Sequence, residues 1–258
     1  MKKNALLISF IIVLIIGGLL LTSILLNDRD RVQDLVSGDF SIEKFVQSSE
    51  EIPLKEKVKK ISSDEIYMAL EIKKGSPKIV VSSYKKKIFD VNDYLKYSVE
   101  DGVLYIDSTE KSKKMSGLEK FFVVTVYVED SKSVDIEIGT LAGAFTAEDD
   151  LKSVQIGKLA GALNLDNQLS SLNINSTEGV LNLTCQDSYN MEFGTIKGVA
   201  NFNIRHPNLK LTIQSMSGII GVFGKNYTAD EQKSLDTSYG DGSKSIRIDS
   251  VEGVLNME

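Results

Sequence analysis

Cysteine, histidine and tryptophan are almost absent from this chain of 258 residues. Cys185 and His206 are the single cysteine and histidine, and there is no tryptophan. One cysteine excludes an internal disulfide and a cysteine-rich metal site. A Cys–His or Ser–His nucleophile would have to use these lone residues, and no nucleophile-elbow motif accompanies them. We therefore predict a non-enzyme with no catalytic, cofactor-binding or metal-ligating residues.

A strong excess of charge is also missing. The net charge is -6, from 30 basic and 36 acidic residues, and the lysines are dispersed without interleaved aromatics. This distribution gives no support for nucleic-acid binding. Aromatic residues make up only 7% of the chain, so the core must consist of aliphatic side chains. A core of stacked Ile, Leu and Val fits a repeat protein, and a β-sandwich is the alternative.

Two acidic stretches are candidates for calcium ligands. They are residues 148–150, with the sequence Glu-Asp-Asp, and Asp241 in a Gly-Asp-Gly turn. Neither shows the regular ligand spacing of an EF-hand or of nonapeptide calcium repeats. We therefore predict no metal site at either position.

Residues 5–26 form an uncharged, strongly apolar run of 22 residues. A helix of this length would reach about 33 Å, enough to cross the hydrocarbon core of a membrane. Lys2 and Lys3 precede the run, which places residues 1–4 in the cytoplasm and the remainder outside. A cleaved signal peptide is the alternative, but no clear cleavage site follows the run. The pattern predicts a single-pass signal anchor in the cell membrane, with residues 27–60 as a stalk.

Residues 61–130 carry an irregular β pattern. Ile66, Met68, Leu70 and Ile72 alternate with polar residues, which predicts a strand. Asp101–Gly102, between alternating segments, predicts a hairpin with a tight turn. We interpret this region as a β entry module that covers the exposed end of the repeats.

Residues 131–258 repeat a short phrase about every 19 residues. Each copy has an alternating apolar run, a glycine and a second alternating run, which indicates two short strands joined at a corner. The predicted corner glycines are Gly143, Gly161, Gly179, Gly198, Gly218 and Gly253. Glycine at a corner allows either a positive φ or a close approach of stacked backbones. The predicted fold is therefore an all-β repeat β-solenoid with coils of about 18–20 residues.

The last interval between corner glycines is longer because residues 225–242 form a polar insertion. We expect this insertion to loop out of one coil and to fold over the last one as a cap. Without such a cap, the final strand near Met257 would offer a free edge. That edge would then be available for self-association through the C-terminal coil.

The apolar N-terminal run, EDGVLYI at residues 100–106, the glycine corners and the closing YGDGSKSIRIDSVEGVLNM together resemble one bacterial family. The chain resembles the adhesin-like β-solenoid domain of unknown function, as in Lia-type membrane-anchored proteins encoded beside envelope-stress systems. The resemblance covers residues 61–258. It implies a place on the outer face of a bacterial membrane and a role in the envelope, and it implies no catalytic residue.

Three classes of function stay open on these grounds. The leading interpretation is a membrane-anchored, non-enzymatic protein that binds or senses an envelope component, either a protein or a cell-wall glycan, or plays a structural role there. The second is a polysaccharide-active enzyme, which would need carboxylates beside Arg or Lys on adjacent coils. Arg205 and Arg247 are the two arginines of the repeats. The third class is a surface adhesin.

Overall fold

Strands dominate the structure, as the alternating apolar pattern predicts. The computed structural model describes residues 48–83, 90–114, 122–147, 149–166, 168–228 and 233–258, which belong to one unit, Gln47–Glu258. The strands in these residues are β1 (Ser48–Pro53), β2 (Lys60–Ile66), β3 (Ala69–Lys74), β4 (Lys78–Ser83), β5 (Leu95–Glu100), β6 (Val103–Ser108), β7 (Phe122–Val128), β8 (Asp135–Leu141), β9 (Ala144–Ala147), β10 (Ser153–Leu159), β11 (Ala162–Asp166), β12 (Ser171–Thr177), β13 (Val180–Asp187), β14 (Asn190–Ile196), β15 (Val199–His206), β16 (Leu209–Met216), β17 (Ile219–Val222), β18 (Lys225–Thr228), β19 (Leu235–Tyr239), β20 (Lys244–Val251) and β21 (Val254–Met257). A single turn of helix, α1, spans Glu110–Lys113, and short 3₁₀ turns span Val91–Asp93 and Ser131–Ser133.

The described strands form two large mixed sheets. Sheet A has eleven strands in the order β1-β4-β7-β3-β9-β11-β13-β15-β21-β17-β18. Sheet B has ten strands in the order β19-β16-β20-β14-β12-β10-β8-β2-β6-β5. The central strands are parallel, and antiparallel pairs close both ends of each sheet among the described residues.

Each repeat supplies one strand to each sheet. The chain runs along a strand of sheet B, turns through a two-residue corner such as Ala160–Gly161, and continues in sheet A. The inward side chains of both sheets form one apolar cluster. Phe193 of sheet B and Phe202 of sheet A stack across it, with ring centroids 5.3 Å apart. Burial of these aliphatic faces is the main stabilising term of such a fold.

The corner glycines are required by close stacking. A Cβ atom on Gly161 would lie 1.8 Å from the carbonyl oxygen of Gly143, and one on Gly179 would lie 1.8 Å from that of Gly161. The positive-φ residues of the described chain include none of the six corner glycines. Of the two reasons considered for glycine here, close approach of backbones is therefore the correct one.

Hydrogen bonds fix the stacked corners to one another. The backbone N–H groups of Ala160 and Gly161 both donate to the carbonyl oxygen of Leu141, at 2.8 and 3.1 Å. The same paired donation recurs at the other corners, for example from Glu178 and Gly179 to Leu159. This arrangement satisfies backbone groups that the change of direction removes from the sheets.

The first corner of the stack carries no glycine. Tyr67 and Met68 join β2 to β3, and the Met68 carbonyl oxygen lies against Gly143 as the earlier carbonyls do against later glycines. The alternation from Ile66 to Ile72 is therefore not one strand but two strands with a corner between them. Residues of the predicted entry module thus pair directly with the first repeat, through β2 with β8 and β3 with β9.

The predicted β-solenoid is wrong as the description of this fold, although the all-β class is correct. The strands form two mixed sheets, and their spatial order departs from the chain order. The last repeat, β20 and β21, lies between β14–β15 and β16–β17. Coils stacked one after another along the chain cannot give this order.

The final strand has no free edge, although the insertion does not cover it as expected. β21 is hydrogen-bonded in parallel to β15 on one side and to β17 on the other. The insertion, residues 225–242, supplies β18 and β19, which pair antiparallel with β17 and β16. It therefore covers the end of both sheets, as a cap would, but the strands it covers belong to the fifth repeat. Self-association of the protein stays a prediction, and the C-terminal strand does not offer the free edge on which it was based.

The predicted membrane anchor is not found. Within the described ranges, no helix is both long enough and apolar enough to cross a membrane. The segment predicted as the anchor, residues 5–26, lies outside the described residues. Part of the predicted stalk, residues 27–60, belongs to the folded unit, because β1 pairs with β4 and Val58 is buried in the core.

We expect Gly179→Ala to lower the free energy of unfolding by about 2–3 kcal/mol or more, because the new Cβ would overlap the Gly161 carbonyl. Gly221→Ala is the matched control, since its Cβ would meet only movable side-chain oxygens, that of Asn256 at 3.0 Å and that of Asn226 at 3.5 Å. Urea unfolding of both variants measures the difference. Equal midpoints would show that the corners tolerate a side chain.

A second prediction concerns Thr177, a fully buried residue of β12. Among the described residues, its hydroxyl oxygen is the one buried side-chain nitrogen or oxygen atom that has no hydrogen-bond partner. Its neighbours in register are Leu159 and Ile196. Thr177→Val removes the unpaired hydroxyl at nearly the same shape, so the free energy of unfolding should rise by about 1 kcal/mol.

Thr125→Val is the control for that prediction. Thr125 is also buried, but its hydroxyl donates to Glu71 at 2.9 Å. The same substitution there removes a made hydrogen bond and should be destabilising. A loss of stability in both variants would show that the Thr177 hydroxyl has a partner after all.

Candidate functional site

A row of polar side chains crosses the outer face of sheet B. The row follows the strand register from β2 to β20, with one outward residue on each of six adjacent strands. Its members are Ser62, Glu137, Gln155, Asn173, Glu192 and Arg247. Because neighbouring strands lie about 4.8 Å apart, the row is about 24 Å long.

A bend in each strand lies beside this row. The burial pattern of β8 and β10 shows two consecutive outward residues after the second buried position. The register between neighbouring strands stays one-to-one across this position, so the strands bend together without an inserted residue. Gly139, Gly157 and Gly194 occupy the bend on three of the strands. A Cβ on Gly157 would lie 2.5 Å from the carbonyl oxygen of Gly139, so the backbones are too close for a side chain.

The bend and the row together form two grooves. One groove of about 180 Å³ includes Ser62, Asp64, Glu137, Gln155 and Gly157 in its lining. The other, of about 490 Å³, is lined by Asn173, Asn175, Glu192, Phe193, Gly194, Arg247 and Asp249. The grooves lie on neighbouring strands, since Gln155 of the smaller one is in register with Asn173 of the larger one. We call the two grooves together the sheet B trough.

The two outer faces of the molecule differ in how their polar groups are satisfied. On sheet A, Asn182 donates to Asn164 at 2.7 Å and Asn201 donates to Asn182 at 2.9 Å, which forms an asparagine ladder. In the trough, four side chains make no hydrogen bond or ion pair with other described residues. They are Gln155, Asn173, Asn175 and Glu192. The trough therefore retains donors and acceptors for a ligand.

Ion pairs occupy two of the trough's carboxylates. The Lys60 ammonium pairs with Glu137, and this hydrogen bond raises the pKa of Lys60 above its usual value. The Arg247 Nε atom lies 3.4 Å from an oxygen of Asp249. All four side chains are substantially exposed, so these pairs contribute little to stability. Their effect is electrostatic, because they balance the negative charges of Glu137 and Asp249 within the trough.

The arrangement permits two kinds of chemistry. Amide, hydroxyl and carboxylate groups repeated at strand spacing can hydrogen-bond to an extended polar polymer that lies across the strands. Separately, Glu192 lies beside Arg247 on the neighbouring strand β14, and Asp249 lies two residues beyond Arg247 on β20. Paired carboxylates can serve general acid and base steps. The second possibility is the pattern that a polysaccharide-active enzyme requires.

The predicted calcium candidates have other partners. Asp150 accepts from the Gln168 backbone at 2.9 Å and pairs with Lys132 at 2.8 Å. The Lys132 ammonium and this backbone N–H hold the pKa of Asp150 below its usual range. Asp241 accepts from the backbone N–H of Ser243 at 2.9 Å, within its own turn. In the part of the chain that the structure describes, no three His, Cys, Asp or Glu side chains are grouped to hold a metal ion.

The lone cysteine and histidine lie apart from the trough. Cys185 is buried in β13, paired in register with Ile204 of sheet A. His206 is exposed at the end of β15, where its Nδ1 atom lies 3.1 Å from the carbonyl oxygen of Gln186. The structure does not place these two residues in a nucleophile arrangement with the trough.

The trough was not predicted from the sequence, although one signal for it exists. A glycine recurs four residues before several corner glycines, as Gly139 before Gly143 and Gly157 before Gly161. This second series marks the bends beside the polar row. The register pairing of Glu192 with Arg247 had no such signal, because it depends on the placement of β20 next to β14.

No protein-family model matches the chain, and no curated protein matches it. Similar solved structures include a candidate cell adhesion protein from Clostridium sporogenes, with 17% identity and a TM-score of 0.42 over 81% of this chain and 98% of that one. A candidate adhesin from Bacteroides fragilis has 11% identity and a TM-score of 0.41 over 82% and 96% of the two chains. A candidate lipid binding protein from Parabacteroides distasonis has 12% identity and a TM-score of 0.33 over 82% and 96%.

These structural neighbours are candidate adhesins or binding proteins. At such low identities and TM-scores, they decide neither the ligand nor the activity of this chain. None of them points to the Lia-type proteins that the sequence resembles.

We expect Cys185 to react slowly with an alkylating reagent in the folded protein. Burial raises the pKa of its thiol from 9.0 to about 11, so at pH 8 the thiolate fraction falls about a hundredfold. Alkylation followed by mass spectrometry should therefore show labelling only after denaturation. Rapid labelling of the folded chain at pH 8 would show that the thiol is accessible and ionisable.

Proposed function

We propose that this chain is a non-enzymatic binding protein that holds a linear, hydroxyl-rich glycan of the bacterial cell envelope along the sheet B trough. The observation that carries the proposal is the row of outward polar side chains across six adjacent strands, in which Gln155, Asn173 and Glu192 have no partner among the described residues. A row of this kind offers a new set of hydrogen-bonding groups about every 4.8 Å. That interval is close to the length that one pyranose unit adds to an extended glycan.

The shape of the trough supports a polymer rather than a small molecule. The site is long, open and shallow, whereas small-molecule sites are concave pockets that bury most of the ligand surface. The side chains that line it carry mostly amide, hydroxyl and carboxylate groups. The apolar residues in the lining, such as Phe193, have side chains that are buried in the core. Such a surface favours a ligand that presents many hydroxyl groups along its length.

A role in the envelope-stress response would go beyond the glycan binding proposed here. It rests on the resemblance to Lia-type proteins alone, and no contact among the described residues supports it. Adhesion to a glycan-coated surface, in contrast, would need only the binding proposed here.

We predict that Asn173→Ala combined with Asn175→Ala weakens binding to purified peptidoglycan about tenfold, because two neutral hydrogen bonds are lost. Co-sedimentation of the full chain with the insoluble glycan measures the affinity. The control is Asn182→Ala, which removes the centre of the asparagine ladder on sheet A and should leave binding unchanged. Thermal unfolding confirms that both variants remain folded.

Two outcomes would count against the proposal. Undiminished binding by the double variant would place the glycan elsewhere on the molecule. Equal loss in the Asn182 variant would show that binding reports stability and not contact with the trough.

An enzyme acting on the same glycan is the second candidate function. It is favoured by one observation, namely that Glu192 and Asp249 flank Arg247 in one groove. The same incubation tests it, since hydrolysis would release new reducing ends and would be abolished by Glu192→Gln or Asp249→Asn. The non-enzymatic proposal requires that no reducing ends accumulate.

A further inference from the structure

The charges along the trough are unevenly balanced. Four carboxylates lie in it, on Asp64, Glu137, Glu192 and Asp249. Lys60 pairs with Glu137, and Arg247 lies beside Asp249. Lys158 is on an adjacent outward position of β10, but its ammonium pairs with Glu178 at 2.8 Å. The basic groups closest to the trough are therefore already engaged.

Two carboxylates remain uncompensated. The side chains of Asp64 and Glu192 make neither an ion pair nor a hydrogen bond with any other residue in the described ranges. Both side chains are exposed to solvent. They lie in different grooves, Asp64 in the smaller and Glu192 in the larger, so each groove contains one unbalanced negative charge.

The positions of these two carboxylates fit one extended ligand. Asp64 is on β2 and Glu192 is on β14, four strand spacings away, which corresponds to about 19 Å. Between them lie neutral amides, among them Gln155 and Asn173. A polymer along the trough would therefore meet negative charge, then neutral hydrogen-bonding groups, then negative charge again.

We infer that the trough selects glycans with free amino groups, that is, partly N-deacetylated amino-sugar polymers, with Asp64 and Glu192 each receiving an ammonium group. This inference rests on the glycan-binding function proposed above. Polyanionic ligands such as phosphate-linked polymers or uronates would be repelled by the same two carboxylates. A fully N-acetylated glycan would lose both charge contacts and keep only the neutral ones.

A cationic peptide could satisfy the two carboxylates as well. It would leave the neutral part of the trough, at Gln155 and Asn173, with fewer partners. A peptide offers one backbone N–H and one carbonyl per residue and its lysine side chains add no acceptor, whereas each sugar unit presents several hydroxyl groups. Sugar hydroxyls both donate and accept. The observations therefore favour the amino-sugar polymer, and oligolysine becomes the discriminating probe.

The test compares the full chain with the double variant Asp64→Asn, Glu192→Gln, which removes both charges but keeps the shape of each side chain and one acceptor oxygen on it. The probes are hexamers of glucosamine, N-acetylglucosamine and lysine, with affinities measured by calorimetry at low salt. Two exposed ion pairs of ordinary strength correspond to about a twofold to thirtyfold difference in affinity. We expect a loss within this range for the glucosamine hexamer, no change for the acetylated hexamer, and weaker binding of oligolysine.

A matched charge control is available outside the trough. Asp166→Asn with Glu50→Gln removes two exposed carboxylates of sheet A strands, β11 and β1, and should leave glucosamine binding unchanged. Equal weakening in this control would mean that net charge is responsible, which would overturn the inference. Added salt should weaken the glucosamine hexamer and spare the acetylated one.

The remaining outcomes separate the two proposals. Equal affinity for the acetylated and free-amine hexamers would overturn the amine preference and leave glycan binding intact. Binding of neither hexamer would overturn both proposals. Oligolysine binding as tight as that of the glucosamine hexamer, and lost in the same variant, would show a general polycation surface and would overturn the ligand class inferred here.

Discussion

The close stacking of the corner glycines is the constraint on which the other features depend. Each corner carbonyl occupies the space that a Cβ of the next corner would need, and the Leu141 carbonyl accepts from both backbone N–H groups of the following corner. This contact leaves one register available between successive repeats. Because a single corner joins a strand of each sheet, the register of sheet A and the register of sheet B are fixed together.

A fixed register turns a repeated sequence into rows of side chains with contrasting properties. On sheet A, asparagines fall opposite one another and satisfy each other, so the ladder from Asn164 to Asn201 stabilises the face and leaves few groups for a ligand. On sheet B, the corresponding row mixes amides with carboxylates whose positions do not match in this way. The functional difference between the two faces therefore follows from which side chains are neighbours across the strands. The overall amino-acid composition of each face matters much less.

The sequence predicted the strands, the corners and the insertion, because each has a local signal in alternation, glycine or polarity. The Asp101–Gly102 hairpin is one example, with φ values of 52° and 77° that suit its tight turn. The first corner was missed because Met68 replaces glycine there. Met68 lies in the first corner of the described stack. No carbonyl oxygen of an earlier corner lies against it, so a side chain has room there and glycine is not required. A pattern search finds glycine, whereas the structure requires only space.

The spatial order of the repeats could not be predicted, and the site depends on it. All repeats present similar Ile, Leu and Val faces, so local patterns do not distinguish one neighbour from another, and the insertion gives the chain enough length to pass around the fifth repeat. In chain order, Glu192 of β14 would lie beside Thr212 of β16. With the last repeat between them, Arg247 takes the row position beside Glu192, and Asp249 lies in the same groove. The charge pattern of the trough is therefore a property of the topology, and it would be absent from the same six repeats stacked in order.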